Sequence, residues 1–299
     1  MLNPDVHLSQ SHVGPPFVAT FRESLTMLRK LMQTSDPSSQ PFVISGSGTL
    51  GWDFVAANLA ERGDDVLVLH TGYFADSFAD CFETYGVSVT QLKAPIGDRP
   101  QLPEIEKALK EKKYKLVTVT HVDTSTGVLS EIEVLSDLVH RISPETLVVV
   151  DGVCSVGCED IQFDKWKIDV VLTASQKAIG CPAGLCIFMC SGRAIESYRN
   201  RKTAPASYFA SFKNWLPSKI GFLSRLRTQL TYSSNAKLRS QEGIILRNAV
   251  TAADPRAPRK SFPDSFTTPF GAVRSSPGNI ATHQISHQVD GTYSASKQT

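Results

Sequence analysis

The sequence has no uninterrupted apolar run approaching the ~18 residues that a membrane-spanning helix requires. Its N-terminus, MLNPDVHLSQSHVGPP, lacks the apolar core of ~7–15 residues that marks a secretory signal. Cysteine is sparse. Cys81, Cys154, Cys158, Cys181, Cys186 and Cys190 are six thiols in 299 residues, too few for a disulfide scaffold. Their spacings give no C-x-x-C knuckle, which disfavours zinc. With Cys186 and Cys190 inside the apolar run GLCIFMC, the six read as buried, reduced thiols.

Hydrophobic residues make up 41% of the chain and charged residues 20%, which argues against wholesale disorder. The length suits one large domain or two ordinary ones. The net charge of +2 is unevenly spread. Residues 219–299 hold 11 basic and 4 acidic side chains, and the remainder holds 20 and 25, so the chain has two unlike parts.

The first part alternates between two periodicities. Phe17, Phe21, Leu25, Leu28 and Met32 predict an amphipathic helix over 17–33. A strand follows at Pro41–Ser45, then Gly46-Ser47-Gly48-Thr49-Leu50-Gly51, then a helix over 53–63. Strands are expected at 65–70, 87–92, 116–120, 147–151, 170–173 and 184–189. Helices are expected around 74–85, 105–113 and 132–142. Short, continuous β-branched runs are what parallel strands buried on both faces look like. The fold class is therefore α/β, a mostly parallel sheet of about seven strands sandwiched by helices. Polar residues recur where strands end, at His121–Thr126, Asp151 and Ser175–Lys177, and that end of an open α/β sheet forms the ligand crevice. Residues 219–299, rich in Ser and Thr, read as a disordered or unrelated tail.

Three features carry chemistry. The Gly46–Gly51 segment fits a turn whose amides approach a phosphate at a helix N-terminus, or a turn of purely structural use. A nicotinamide dinucleotide would want an acid closing the second strand. That strand runs into Leu69-His70-Thr71-Gly72, which has none. Asp151 ends LVVVD, where it can accept a cationic ring nitrogen or a metal, or cap the next segment. Lys177 lies in TASQKAIG between two apolar strands. It is either a solvated charge or a lysine held near desolvation, with a lowered pKa and able to attack a carbonyl. An anion turn, a strand-end Asp and a lysine, in that order, form a pyridoxal-phosphate layout.

The stretches VISGSGTLGWD, VTVTHVDTSTGVLS, VVDGVCSVG, LTASQKAIGCPAGL and SYFASFKNW resemble the class V aminotransferases of fold type I, in their alanine–glyoxylate and serine–pyruvate branch. The resemblance covers about 11–216, so 1–218 is expected to be the cofactor-binding large domain. It implies that Lys177 holds pyridoxal 5'-phosphate covalently and then shuttles a proton. It implies that Asp151 keeps the ring nitrogen protonated. Val153 would pack on one ring face and Phe74 on the other, with Tyr73 the alternative. Thr124 would stand near the ring oxygen, and Ser47, Gly48, Thr49 and Gln176 would surround the phosphate. The implied reaction takes an amino group from alanine, or from serine, to glyoxylate and yields glycine. The implied partners are an amino acid, a 2-oxo acid and a second copy of the chain, with no metal, nucleic acid or membrane.

The sequence also departs from that pattern. A Pro-Gly-Pro turn that would precede residue 1 is missing. So are the Tyr-x-x-Thr-Pro-Pro stretch and the substrate-gripping arginine expected beyond Trp215; Tyr232 has no Thr-Pro-Pro after it. An altered reading frame or splice form after about 218 is one expectation from this. A cofactor-binding remnant that pairs with an intact paralogue is another. An intracellular location is expected, and Ser296-Lys297-Gln298-Thr299 is not the peroxisomal Ser-Lys-Leu.

Overall fold

The structure is a computed structural model that describes Ser11 and residues 14–216. The segment 219–299, read above as a tail, lies outside the described residues. Sixteen elements follow one another. They are α1 (Pro15–Leu31), β1 (Gln40–Ser45), α2 (Thr49–Leu59), β2 (Asp65–His70), α3 (Tyr73–Thr84), β3 (Ser88–Lys93), α4 (Leu102–Glu111) and β4 (Leu116–Thr120). Then come β5 (Val122–Asp123), β6 (Val128–Leu129), α5 (Ile132–Ile142), β7 (Leu147–Asp151), β8 (Val170–Ala174), β9 (Leu185–Cys190), α6 (Gly192–Arg199) and α7 (Phe212–Trp215). No helix among the described residues is long and apolar enough to cross a membrane.

Seven strands form one sheet in the order β1-β9-β8-β7-β4-β2-β3. The run from β8 to β3 is parallel, and β9 lies antiparallel to both β8 and β1. Successive side chains of a strand point to opposite faces. Val66, Val68, Val149 and Leu172 accordingly join one core with Phe54 and Phe78. Leu67, Leu69, Val148, Val150 and Val171 join a second core with Leu28, Ile105 and Leu135. Both faces are covered, as the uniform apolar runs required.

The helices depart from the sequence reading mainly at their starts. α2 begins at Thr49 and ends at Leu59, rather than running over 53–63. A Cβ added at Gly51 would lie only 3.1 Å from Leu172 Cβ, so glycine lets α2 lie directly on β8. α4 begins at Leu102, where Gln101 and Glu104 form a capping box. The β5–β6 hairpin, α6 and α7 were not expected.

Beyond the N-terminal ends of the parallel strands lies an ion pair between a buried carboxylate and a half-buried arginine. Asp169 accepts from Val148 N (2.8 Å), Ser191 Oγ (2.8 Å) and Arg193 Nε (2.9 Å). Arg193 also donates to the Thr146 (2.9 Å) and Pro144 carbonyls. These bonds tie β7, the start of α6 and the α5–β7 connection into one corner. Removing the cation strands a buried carboxylate. Arg193→Ala is therefore expected to lose about 3 kcal/mol in urea unfolding, the lower end of the range for buried pairs because the arginine is 37% exposed, and Arg193→Ala/Asp169→Asn to recover much of that loss.

Candidate functional site

The loop after β1, the ends of β4 and β7 and the loop after β8 surround one cleft of about 580 Å³, counted out to its open mouth. Asp151 forms its floor. The residue is 3% exposed, and it stands in register with Thr120 of β4 and Leu172 of β8. Trp52 Nε1 donates to Asp151 Oδ2 (2.8 Å), and Val153 N donates to Oδ1 (3.0 Å). Burial pushes the carboxyl up to about 6. The two donors pull in the opposite direction, and buried Asp123 adds to the rise.

One wall is the first turn of α2. Gly48 is its N-cap, and the first amides of a helix have no intrahelical acceptor. A Cβ on Gly48 would lie 2.8 Å from Val153 Cγ2, so only glycine fits where this wall meets the floor. The hydroxyls of Ser47 and Thr49 are hydrogen-bonded to each other at the rim. Helix amides and paired hydroxyls suit an anion. The turn leaves β1, an edge strand antiparallel to β9. A dinucleotide fold launches its glycine turn from a parallel strand inside the sheet. With no acid at the end of β2, the nicotinamide reading falls away.

Gln176 and Lys177 line the opposite side. Ser175 is a brace of their loop: its hydroxyl donates to the Pro182 carbonyl (2.7 Å). Lys177 is exposed, which agrees with the solvated of the two alternatives its sequence context left open. The apolar strands on either side end before it, and the turn carries it out of the sheet. Phe74 lines the cleft, whereas Tyr73 is 66% exposed and does not. Thr124 is exposed and reaches the cleft only through Cys154, with Oγ1 3.7 Å from Sγ. His121 does not line it. Its imidazole is pushed down to about 4 by burial. Cys158 is exposed and three other thiols are half-buried, so only Cys186 and Cys190 are the buried thiols expected of all six.

Sequence reasoning missed Trp52, Thr120, Val122 and Cys154 as cleft residues. Trp52 was within reach. It lies four positions after Gly48, on the same face of a helix that starts at the glycine turn. It also missed the support beneath Phe74. Asp123 accepts from Thr71 Oγ1 (3.0 Å) and Ser125 Oγ (2.6 Å), and Ser125 Oγ accepts from Tyr73 N (3.0 Å). A Cβ at Gly72 would lie 2.4 Å from Ser125 Oγ, so the β2–α3 turn closes onto the hairpin only with glycine.

The profile of the class-V aminotransferases matches residues 2–208. Alanine–glyoxylate aminotransferase 1 of Saccharomyces cerevisiae is 45% identical over 216 residues, 70% of this chain and 56% of that protein. L-aspartate–glyoxylate aminotransferase of Paracoccus denitrificans is 31% identical, over 66% of this chain and 50% of that protein. The crystal structure of an alanine–glyoxylate aminotransferase from Nostoc sp. superposes with a TM-score of 0.68 at 29% identity, covering 82% of this chain and 61% of that one. The chain spans about half the length of the curated relatives it matches. The sheet order and the flanking helices are those of fold type I. With the profile matched over most of its length, this chain belongs to the class-V aminotransferase family.

Proposed function

We propose that the chain is a pyridoxal-phosphate-dependent aminotransferase that moves the amino group of alanine to glyoxylate, with residues 1–218 as its cofactor-binding domain and a second copy as its partner. The observation that carries this reading is the cleft itself. A buried carboxylate, an anion-binding helix start and a lysine line one space. The 45% identity to the yeast alanine–glyoxylate enzyme supports the choice of substrates.

The residues fit this cofactor. Asp151 is buried without a cation, and a protonated ring nitrogen is the partner it lacks. The space a Cβ would fill at Gly48 admits a close approach to backbone amides. When bound, pyridoxal phosphate supplies an aldehyde and an electron-withdrawing ring. The first amides of α2, the Ser47 and Thr49 hydroxyls and the Gln176 amide hold the phosphate. Asp151 holds a proton at the ring nitrogen. Val153 and Phe74 would confine the ring between two apolar faces, and Thr124, outside the cleft lining and beside Cys154, would stand on the side of the ring oxygen. Lys177 Nζ takes a proton from the substrate α-carbon and returns one later. Alanine departs as pyruvate and glyoxylate as glycine, the amino group and the electron pair passing between the two substrates by way of the bound cofactor.

Purified full-length chain incubated with pyridoxal phosphate and reduced with borohydride is expected to carry the cofactor covalently on Lys177, as located by mass spectrometry. Lys177→Ala loses it. Before reduction, alanine alone should release up to one pyruvate per bound cofactor, and glyoxylate should then yield glycine. A chain with no cofactor on Lys177 at saturating concentration refutes the proposal; cofactor without pyruvate release favours the remnant reading.

Asp151 also makes the cofactor-free protein sensitive to pH. Its folded form holds a proton up to about pH 6, whereas an unfolded chain releases it near pH 4. Between those values the folded state binds more protons, so stability falls as pH rises. Buried His121 works in the opposite sense, and it is present in wild type and variant alike. The stability of Asp151→Asn relative to wild type is therefore expected to rise from pH 4 to pH 7, by at most about 3 kcal/mol in urea unfolding.

A further inference from the structure

We infer that Trp52 is the positioning residue that couples the two ends of the cleft, its indole N–H fixing the Asp151 carboxylate relative to the turn that opens α2. The inference rests on the cofactor reading above for its ligand, and on geometry alone for the coupling.

Asp151 Oδ1 is held from within its own loop, by Val153 N (3.0 Å). Oδ2 is held from another element, by Trp52 Nε1 (2.8 Å). Trp52 is the fourth residue of α2, and the same helix begins with Thr49 on its Gly48 cap. A bond from the first turn of α2 to the end of β7 therefore sets the span from the anion-binding turn to the buried carboxylate. The indole has little freedom to swing. It is 7% exposed and stacks on Phe78 (centroids 5.4 Å apart, 16° between planes), which stacks in turn on Phe82 (4.8 Å, 11°). On the buried face of α2, Phe54, Val55, Ala56, Ala57 and Leu59 are apolar, while Trp52 and Asn58 carry polar atoms. Asn58 serves the far end, where it bonds the Ala210 carbonyl and Phe212 N. A phenylalanine at 52 would keep the stack and leave Oδ2 without its donor.

The test replaces Trp52 by benzothienylalanine, an isostere lacking the N–H, and separately makes Trp52→Phe. Two readouts are taken on the full chain. The first needs no cofactor: the pH midpoint of the stability difference from the matching Asp151→Asn variant. The groups around the carboxylate, namely Asp123, Cys186 of β9, Lys177 at the cleft mouth and His121 on the adjoining strand end, are the same in every variant. Loss of the donor is expected to move that midpoint upward. The second readout is the dissociation constant for pyridoxal phosphate, expected to weaken by about ten- to a hundredfold, the range for one hydrogen bond to a charged group.

An unmoved midpoint in the isostere overturns the inference and makes Trp52 a packing residue. A moved midpoint with cofactor affinity within twofold of wild type overturns the claim that the bond serves the ligand. Wild-type protein that binds no pyridoxal phosphate defeats the cofactor reading, while the cofactor-free midpoint still decides the coupling.

Discussion

A carboxylate at the centre of an apolar sheet is the constraint around which this molecule is arranged. Taking a charge out of water costs several kcal/mol unless partners replace the hydration. Asp151 receives one indole N–H and one backbone N–H, and burial still prevails over both donors. The shortfall concerns charge more than hydrogen bonds, because no cation touches the carboxylate among the described residues. Sites of this kind trade stability of the empty protein for affinity toward a positively charged guest. Gly48 pressed against Val153, and Gly51 against Leu172, bring α2 close enough for the indole to reach.

The opposite corner solves a similar electrostatic problem in the other way. Asp169 is as buried as Asp151, but Arg193 meets it with two nitrogens, and a backbone amide and a hydroxyl complete its shell. A fully partnered carboxylate braces the structure, and a partly partnered one invites chemistry. Both stand where strands begin or end in a sheet whose interior carries no charge, as there the chain can turn to supply donors.

What could be read from residues alone follows the same logic. β2, β4 and β7 have the bounds expected of them, because a strand buried on both faces is written as a short run dominated by aliphatic and β-branched residues. Asp151 was legible as the polar end of such a run. The start of α2 was not, since Ser-Gly-Thr-Leu-Gly reads as loop by propensity and becomes helix through packing on β8. Asp169 and Arg193 belong to different elements, and their meeting depends on sheet register. The exposure of Lys177 stayed open in the sequence because flanking strands say nothing about how far a turn projects. Trp52 was not singled out, because nothing in the sequence shows that its ring nitrogen meets the end of β7.

The strand order also bears on when the site comes into being. β1 is made early, yet its sheet partner is β9, the last strand of the sheet, with Ser45 opposite Leu185. Closing so long a loop is slow, and a chain emerging from its N-terminus cannot begin to do so until β9 exists. The Gly46 amide reaches the Gly184 carbonyl (2.8 Å) only then, and that bond anchors the turn that leads into α2. A nascent chain ending before Leu185 would possess every residue that lines the cleft and still lack the strand that joins β1 to the sheet. The glycine turn at the mouth of the cleft is therefore the last part of the site to be fixed to the sheet as the chain is made, although it is among the first to be synthesised.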